Sequence, residues 1–306
     1  MYRSLLVPLD GSTFGEQALP LALSIAHRAK AVLRLAHVHV PLAAMYVEGV
    51  PFLDNDLESE AKEHERAYLD AVVKRLASDP AVSLTSTLLE GPIANALLEY
   101  AAAVGVDLLI MTTHGRGPLS RFWLGSVADQ LVRQAPMPIL LVRPREGSPE
   151  LPGGPCFRHI LIPLDGSPLA EQAIEPAVAL GSLFEVGYTL LRVVNPLQTV
   201  GHDPAGFAIS GFDPLVQKRL QVEAEDYLER IAERLRPRAT RVLTRVIVGA
   251  QPAAAILDAA REQGADLIAL ATHGRGGLRR LLLGSIADKV LRGATTPVLV
   301  RRPLDS

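Results

Sequence analysis

The sequence predicts an α/β fold laid down twice: two domains in tandem, each a parallel sheet covered by helices on both faces. Three observations predict it. Apolar runs of strand length alternate with helix-patterned stretches, as parallel strands with crossover helices require. The opening RSLLVPLDGS, residues 3–12, returns as RHILIPLDGS at residues 158–167. The stretch MTTHGRGPLSRFWLGSVADQLVRQ, residues 111–134, returns as LATHGRGGLRRLLLGSIADKVLRG at residues 270–293. The boundaries follow: domain one at 1–144, a Pro- and Gly-rich linker at 145–156, domain two at 157–306.

The first copy reads as five strands and four helices. Residues 4–9 are apolar and short, which suits a buried strand. Asp10-Gly11-Ser12 reads as a turn and N-cap. A helix then runs to about residue 30, with Ala18, Leu21, Ala22, Ile25 and Ala26 on its inner face. Residues 32–40 form the second strand, and 41–54 read as a loop. A charge-rich, outward helix spans about 56–77. Residues 82–88 alternate polar and apolar, as a strand nearer an edge does. A helix at 93–103 turns Ile93, Ala94, Leu97, Leu98 and Ala101 inward. Residues 106–112 make the fourth strand.

The fourth helix opens at Ser126, read as its N-cap, with Val127, Ala128, Leu131, Val132 and Ala135 at helical spacing. Residues 139–142, bracketed by Pro138 and Pro144, are the fifth strand and hint at an edge. The second copy follows the same plan. Ser285 is its N-cap, Ile286, Ala287, Val290, Leu291 and Ala294 are its stripe, and 196–213 is a Gly- and Pro-rich loop. Its long helix carries Leu220, Ala224, Tyr227, Leu228, Ile231 and Leu235 on one face.

Composition narrows the function classes. The chain has 306 residues, 48% hydrophobic and 21% charged, which is globular and long enough for two domains. A formal net charge of −2 carries no general attraction to nucleic acid or membrane. One cysteine, Cys156, rules out an intrachain disulfide and suits a reducing compartment. No apolar run approaches the ~20 residues of a membrane span, and the first is too short for a signal peptide. A cytoplasmic protein is expected.

The repeated loop carries the chemistry. A helix start presents unpaired N–H groups and a partial positive charge, so it attracts anions. Gly115, Gly117 and Gly125 let backbone approach a phosphate closely, and Arg116 and Arg275 are suited to phosphate oxygens. Between Gly115 and Gly125–Ser126 lie nine residues, as between Gly274 and Gly284–Ser285.

That spacing resembles the G-x-x-G, nine residues, G-[S/T] nucleotide loop of ATP-binding universal stress proteins. The leading glycine of the pattern is Thr112 in one copy and Ala271 in the other; both are small, which narrows the approach without blocking it. The resemblance covers both halves apart from the linker. It implies Rossmann-like domains of the adenine nucleotide alpha hydrolase-like type, each a five-stranded parallel sheet in the order 3-2-1-4-5. The loops after strands 1 and 4 would then share one crevice.

It also implies nucleotide contacts from Pro8, Asp10, Val38, Met111, Thr112, Gly115, Arg116, Gly125, Ser126 and Val127. In the second copy it implies them from Pro163, Asp165, Val193, Leu270, Ala271, Gly274, Arg275, Gly284, Ser285 and Ile286. The family's aspartate accepts from base or ribose donors and its strand-2 valine reads the adenine edge through the backbone. ATP is the implied ligand, with magnesium as its companion. Family dimers imply a pseudo-dimer of the two domains through their fifth strands, and a homodimer is admitted.

Plainer readings stand beside these. Asp-Gly-Ser is ordinary turn chemistry, and a strand valine is ordinary core. His114 and His273 have no nucleophile and orienting carboxylate paired with them, so no catalytic role is assigned. His37 and His39 share a strand face and would make half a metal site, yet no third ligand is evident and copy two has Arg192 and Val194 there. Arg121, Arg279 and Arg280 either reach phosphate or are solvated. Trp123 stands where copy two has Leu282 and is assigned to packing; Cys156 is assigned nothing.

Two rivals remain. An adenine-nucleotide ligase or adenylyl transferase would carry a Walker, SGGxDS or HIGH-type motif, and none is present. A nucleotide-free interaction module of the same fold is kept open by Thr112 and Ala271. Any ATP hydrolysis is expected to be slow.

Overall fold

We describe the chain from a computed structural model, over residues 2–41, 46–47, 50–51, 55–77, 81–113, 124–143, 156–196, 198–202, 208–212, 214–272 and 283–303. Its contacts divide it into two units, Met1–Cys156 and Phe157–Ser306.

Unit one follows strand with helix throughout. Strand β1 (Ser4–Leu9) leads through a 3-10 turn, Gly15–Ala18, into α1 (Leu19–Ala29). Then come β2 (Val32–His39), α2 (Asn55–Leu76), β3 (Ser83–Glu90), α3 (Ile93–Ala103), β4 (Leu108–Thr112), α4 (Ser126–Gln134) and β5 (Ile139–Val142). These five strands pair in parallel: β3 with β2, β2 with β1, β1 with β4, and β4 with β5. That is the order 3-2-1-4-5.

The pattern of burial explains the order. Leu5, Leu6 and Val7 of β1, and Leu108, Leu109 and Ile110 of β4, are fully buried, as strands covered on both faces must be. Ser83–Glu90 has no buried residue and, among the described residues, pairs only with β2, so its polar alternation marks an edge. Helix α1 begins at Leu19 rather than at Ser12. Pro20 fits the first turn because the N–H it lacks has no helical partner there. The expected inner face of α1 is buried, while Leu69, Val72 and Leu76 carry the contact of α2.

Unit two repeats the plan with β6 (His159–Pro163), a turn at Pro168–Glu171, α5 (Ile174–Gly181), β7 (Gly187–Val194), α6 (Pro214–Leu235), β8 (Arg241–Val248), α7 (Pro252–Glu262), β9 (Leu267–Ala271), α8 (Ser285–Gly293) and β10 (Val298–Arg301). Parallel pairings again give the order 3-2-1-4-5. On β7 the Tyr188 ring is buried, and burial pushes its phenol up to about 12. Tyr188 needs room at the end of α5, where a Cβ on Gly181 would stand 2.0 Å from its hydroxyl.

Several expectations are corrected. The loops expected at 41–54 and 196–213 contain antiparallel ribbons, Tyr46–Val47 with Val50–Pro51 and Gln198–His202 with Ala208–Phe212. Ile93, the first residue of α3, and Ile286, in the first turn of α8, are exposed rather than inward. Both sit where the chain is entering its helix, before the apolar stripe reaches the sheet.

Candidate functional site

The reversal of strand order lies between β1 and β4 in unit one and between β6 and β9 in unit two. Neighbouring parallel strands end on the same side, so the segments after β1 and β4 open together. One aspartate fastens the other end of each pair. Asp107 accepts from the N–H groups of Arg3 and Ser4 at 2.8 and 3.2 Å, and Asp266 from those of Arg158 and His159 at 2.8 and 3.1 Å.

After β1 the chain turns on Asp10. Its Oδ1 accepts from the Ser12 amide at 3.0 Å and from the Ser12 hydroxyl at 2.6 Å. Gly11 between them has φ +81°, a conformation a side chain disfavours. Asp165, Gly166 and Ser167 repeat this at 2.9 and 2.6 Å with φ +85°. The turn reading of both aspartates is therefore correct. It also holds each half-buried carboxylate at the mouth of the reversal.

After β4 the chain is pinned at both ends of the glycine loop. Thr113 donates its N–H to the carbonyl of Val142, and the Gly125 N–H returns to the carbonyl of Thr113, both at 2.9 Å. Thr272 and Gly284 do the same, to Arg301 and to Thr272, again at 2.9 Å. Helices α4 and α8 then start at once.

Here the N-cap expectation is corrected. Gly125 and Gly284 are the N-caps, with φ −58° and −60°, and their carbonyls take the first helical bonds, from Asp129 and Asp288 at 2.8 and 2.9 Å. Ser126 and Ser285 are the first helical residues, exposed, and among the described residues no N-cap side chain bonds to either helix start. The first-turn amides therefore have no intrahelical acceptor.

The remaining expected residues fall around this elbow. Met111 and Leu270 are buried in β4 and β9. Thr112 is buried, and Ala271 half-buried, at the strand ends. Val127 is half-buried and Ile286 exposed in the first helical turn. Pro8 and Pro163 are half-buried on β1 and β6, level with Ala36 and Leu191. Val38 and Val193 lie near the ends of β2 and β7. Gly115, Arg116, Gly274 and Arg275 lie outside the described residues, as do His114, His273, Arg121, Trp123, Arg279, Arg280 and Leu282.

A wall beside the aspartates escaped the sequence reading. Buried Glu16 accepts from the Tyr68 hydroxyl at 3.0 Å and pairs with Arg75. Burial first, then the charges of Glu16 and Asp10, hold the Tyr68 phenol above its ordinary value. Glu171 and Tyr227 repeat this at 3.0 Å beside Asp165. Glu16-Gln17-Ala18 returns in the sequence as Glu171-Gln172-Ala173, a signal that named no partner. The units differ behind the tyrosine: the His37 ring meets Tyr68 edge-on at 6.1 Å, whereas the Arg192 guanidinium lies over Tyr227 at 5.1 Å. Among the described residues no three His, Cys, Asp or Glu side chains are arranged to hold a metal ion, and no helix is long and apolar enough to cross a membrane.

Known proteins share this architecture. A universal stress protein of Mycolicibacterium smegmatis is 27% identical over 98% of this chain and 97% of its own length. One from Mycobacterium tuberculosis is 27% identical over 97% and 94%. A crystal structure described as a putative universal stress protein from Pseudomonas aeruginosa superposes with a TM-score of 0.66 over 99% of this chain and 94% of its own, at 19% identity, a likeness of fold. The profile of the universal stress protein family matches residues 1–143 and again 157–302, so the chain belongs to that family and carries its domain twice.

Proposed function

We propose that each domain binds ATP in the crevice at its strand-order reversal. One observation carries this reading: the Gly125 N–H on the Thr113 carbonyl brings the two ends of the glycine loop together at a helix start whose N-cap is a glycine with no side chain to cap it, and Gly284 and Thr272 repeat it. Bare first-turn amides in that position favour a polyanion. Ser126, Val127 and the glycine loop would face the phosphates, with Asp10 and the backbone of Val38 toward the nucleoside. Ser285, Ile286, Asp165 and Val193 would serve the second site. Magnesium would accompany the triphosphate as a charge partner for its oxygens. The role is regulatory: nucleotide occupancy, with at most slow hydrolysis, reports the energy state of a stressed cell.

Titration calorimetry with ATP tests this. Gly125→Ala combined with Ser126→Ala, in a chain whose second site is disabled, should weaken binding by about 1–3 kcal/mol. Unchanged affinity removes Gly125 and Ser126 from the site. The buried Thr112 at the leading-glycine position favours one rival, a nucleotide-free interaction module. Acid release of the purified protein separates the two: co-eluting ATP or AMP supports binding, and a blank supports the rival.

A further inference from the structure

Each glycine loop leads into a helix that carries a carboxylate in its first turn. The fourth residue of α4 is Asp129, and that of α8 is Asp288. An acid there steadies a lone helix, because it faces the positive end of the peptide dipoles. A bound polyanion would compete for that same positive end. Helical side chains lean toward the N-terminus. The carboxylate of Asp129 therefore leans toward the amides of Ser126, Val127 and Ala128, which have no intrahelical acceptor.

In both helices the acid is met by an arginine one turn further on. Arg133 donates from Nε to Asp129 Oδ2 at 2.8 Å and from Nη2 to Oδ1 at 2.9 Å. Arg292 Nε reaches both carboxylate oxygens of Asp288 at 2.9 Å. These pairs are two-pronged and partly sheltered, with side chains 27% and 31% exposed in α4 and 31% and 30% in α8. By contrast, Arg219 and Glu223 of α6 meet at 3.3 Å with 81% and 58% exposed. Shelter strengthens a charge-assisted bond and weakens its screening by salt.

We propose that Arg133 and Arg292 are positioning residues of the two nucleotide sites: each acts through its aspartate, cancelling the first-turn carboxylate so that the helix start stays open to phosphate. This role rests on the nucleotide reading. With the pair intact the two charges sum to nothing. Without the arginine one negative charge is left beside the amides, where a triphosphate would be repelled.

The pair also suits the helix dipole, so binding has to be read apart from helix stability. ATP titration of the full chain with the second site disabled does this. The first site is the one measured, because Lys289 adds a charge in α8 where α4 has Gln130. R133Q should weaken ATP binding roughly fivefold relative to the native chain at about 50 mM salt, and less than about twofold at about 500 mM, where the repulsion is screened. D129N/R133Q should return to within about twofold of the native affinity, since the charges again sum to nothing. A merely structural pair predicts otherwise: both variants lose the same two bonds, so both would be equally weak. Should R133Q not fold, D129N alone decides: removing the carboxylate should tighten ATP binding roughly threefold, and unchanged affinity overturns the proposal. An R133Q chain that binds as the native chain does, or a D129N/R133Q chain as weak as R133Q, overturns it too and leaves the nucleotide reading standing. A native first site that takes no ATP defeats the nucleotide reading, and this role with it.

Discussion

Asp10 and Ser12 are joined twice through a single oxygen: Oδ1 of Asp10 receives both the amide and the hydroxyl of Ser12, at 3.0 and 2.6 Å. The same hydroxyl oxygen accepts from the Gly15 N–H at 3.0 Å. A Cβ on Gly15 would stand 2.5 Å from that aspartate oxygen, so the turn is closed on every side. In unit two the chain of bonds runs from Asp165 through Ser167 to the Ala170 N–H at 3.2 Å. The carboxylate at the strand-order reversal is therefore fixed within its own turn.

Ser167 is a buried cap, so removing its hydroxyl is costly. Ser167→Ala should destabilise unit two by about 1 kcal/mol. Urea unfolding of the full chain, followed by a probe in unit two, checks it. An unmoved midpoint would show that the Ala170 amide is satisfied in some other way.

Gly181 is where α5 meets the Tyr188 hydroxyl, and Val186 would lie 2.6 Å from an added Cβ as well. Tyr188 is fully buried. Gly181→Ala should cost about 1–3 kcal/mol by overpacking. The double change Gly181→Ala with Tyr188→Phe should recover part of the loss, because the nearest atom is then gone. Thermal unfolding of the two variants decides it; equal losses would deny that the hydroxyl is the obstacle.

The His159 ring is half-buried, with Nε2 2.9 Å from Thr189 Oγ1. Burial pushes its imidazole below the ordinary value, and only in part does the Asp266 charge restore it. The unfolded chain therefore takes a proton that the folded chain resists. Stability from this group is complete above about pH 6.5 and declines as pH is lowered past it. His159→Leu should flatten the decline between about pH 7 and about pH 5. Denaturation midpoints at the two pH values are the measurement, and an unaltered slope would place the titration elsewhere.

Much of the fold was legible because its signals are local. The bounds of β1, α3 and β5 could be read to the residue, since apolar period and turn residues lie within each element. Element ends were less legible. Ser126 looked like an N-cap, but Gly125 took that place once its amide had closed on Thr113, a bond between residues on either side of the loop.

Sequence alone determined the doubling, the alternation of strand and helix, and the residues of the glycine loop. Each is a matter of spacing along the chain, and an apolar period survives without knowledge of its partner. Tertiary structure alone decided what the buried polar groups do. His39 meets Glu58 and Glu65, which lie 19 and 26 residues further on, and Glu16 meets Tyr68, 52 residues on. Such pairs form because α2 crosses over β2 at one depth and one rotation. A helix face repeats about every 3.6 residues whatever it faces, so its periodicity says which residues turn inward and nothing of what they will meet.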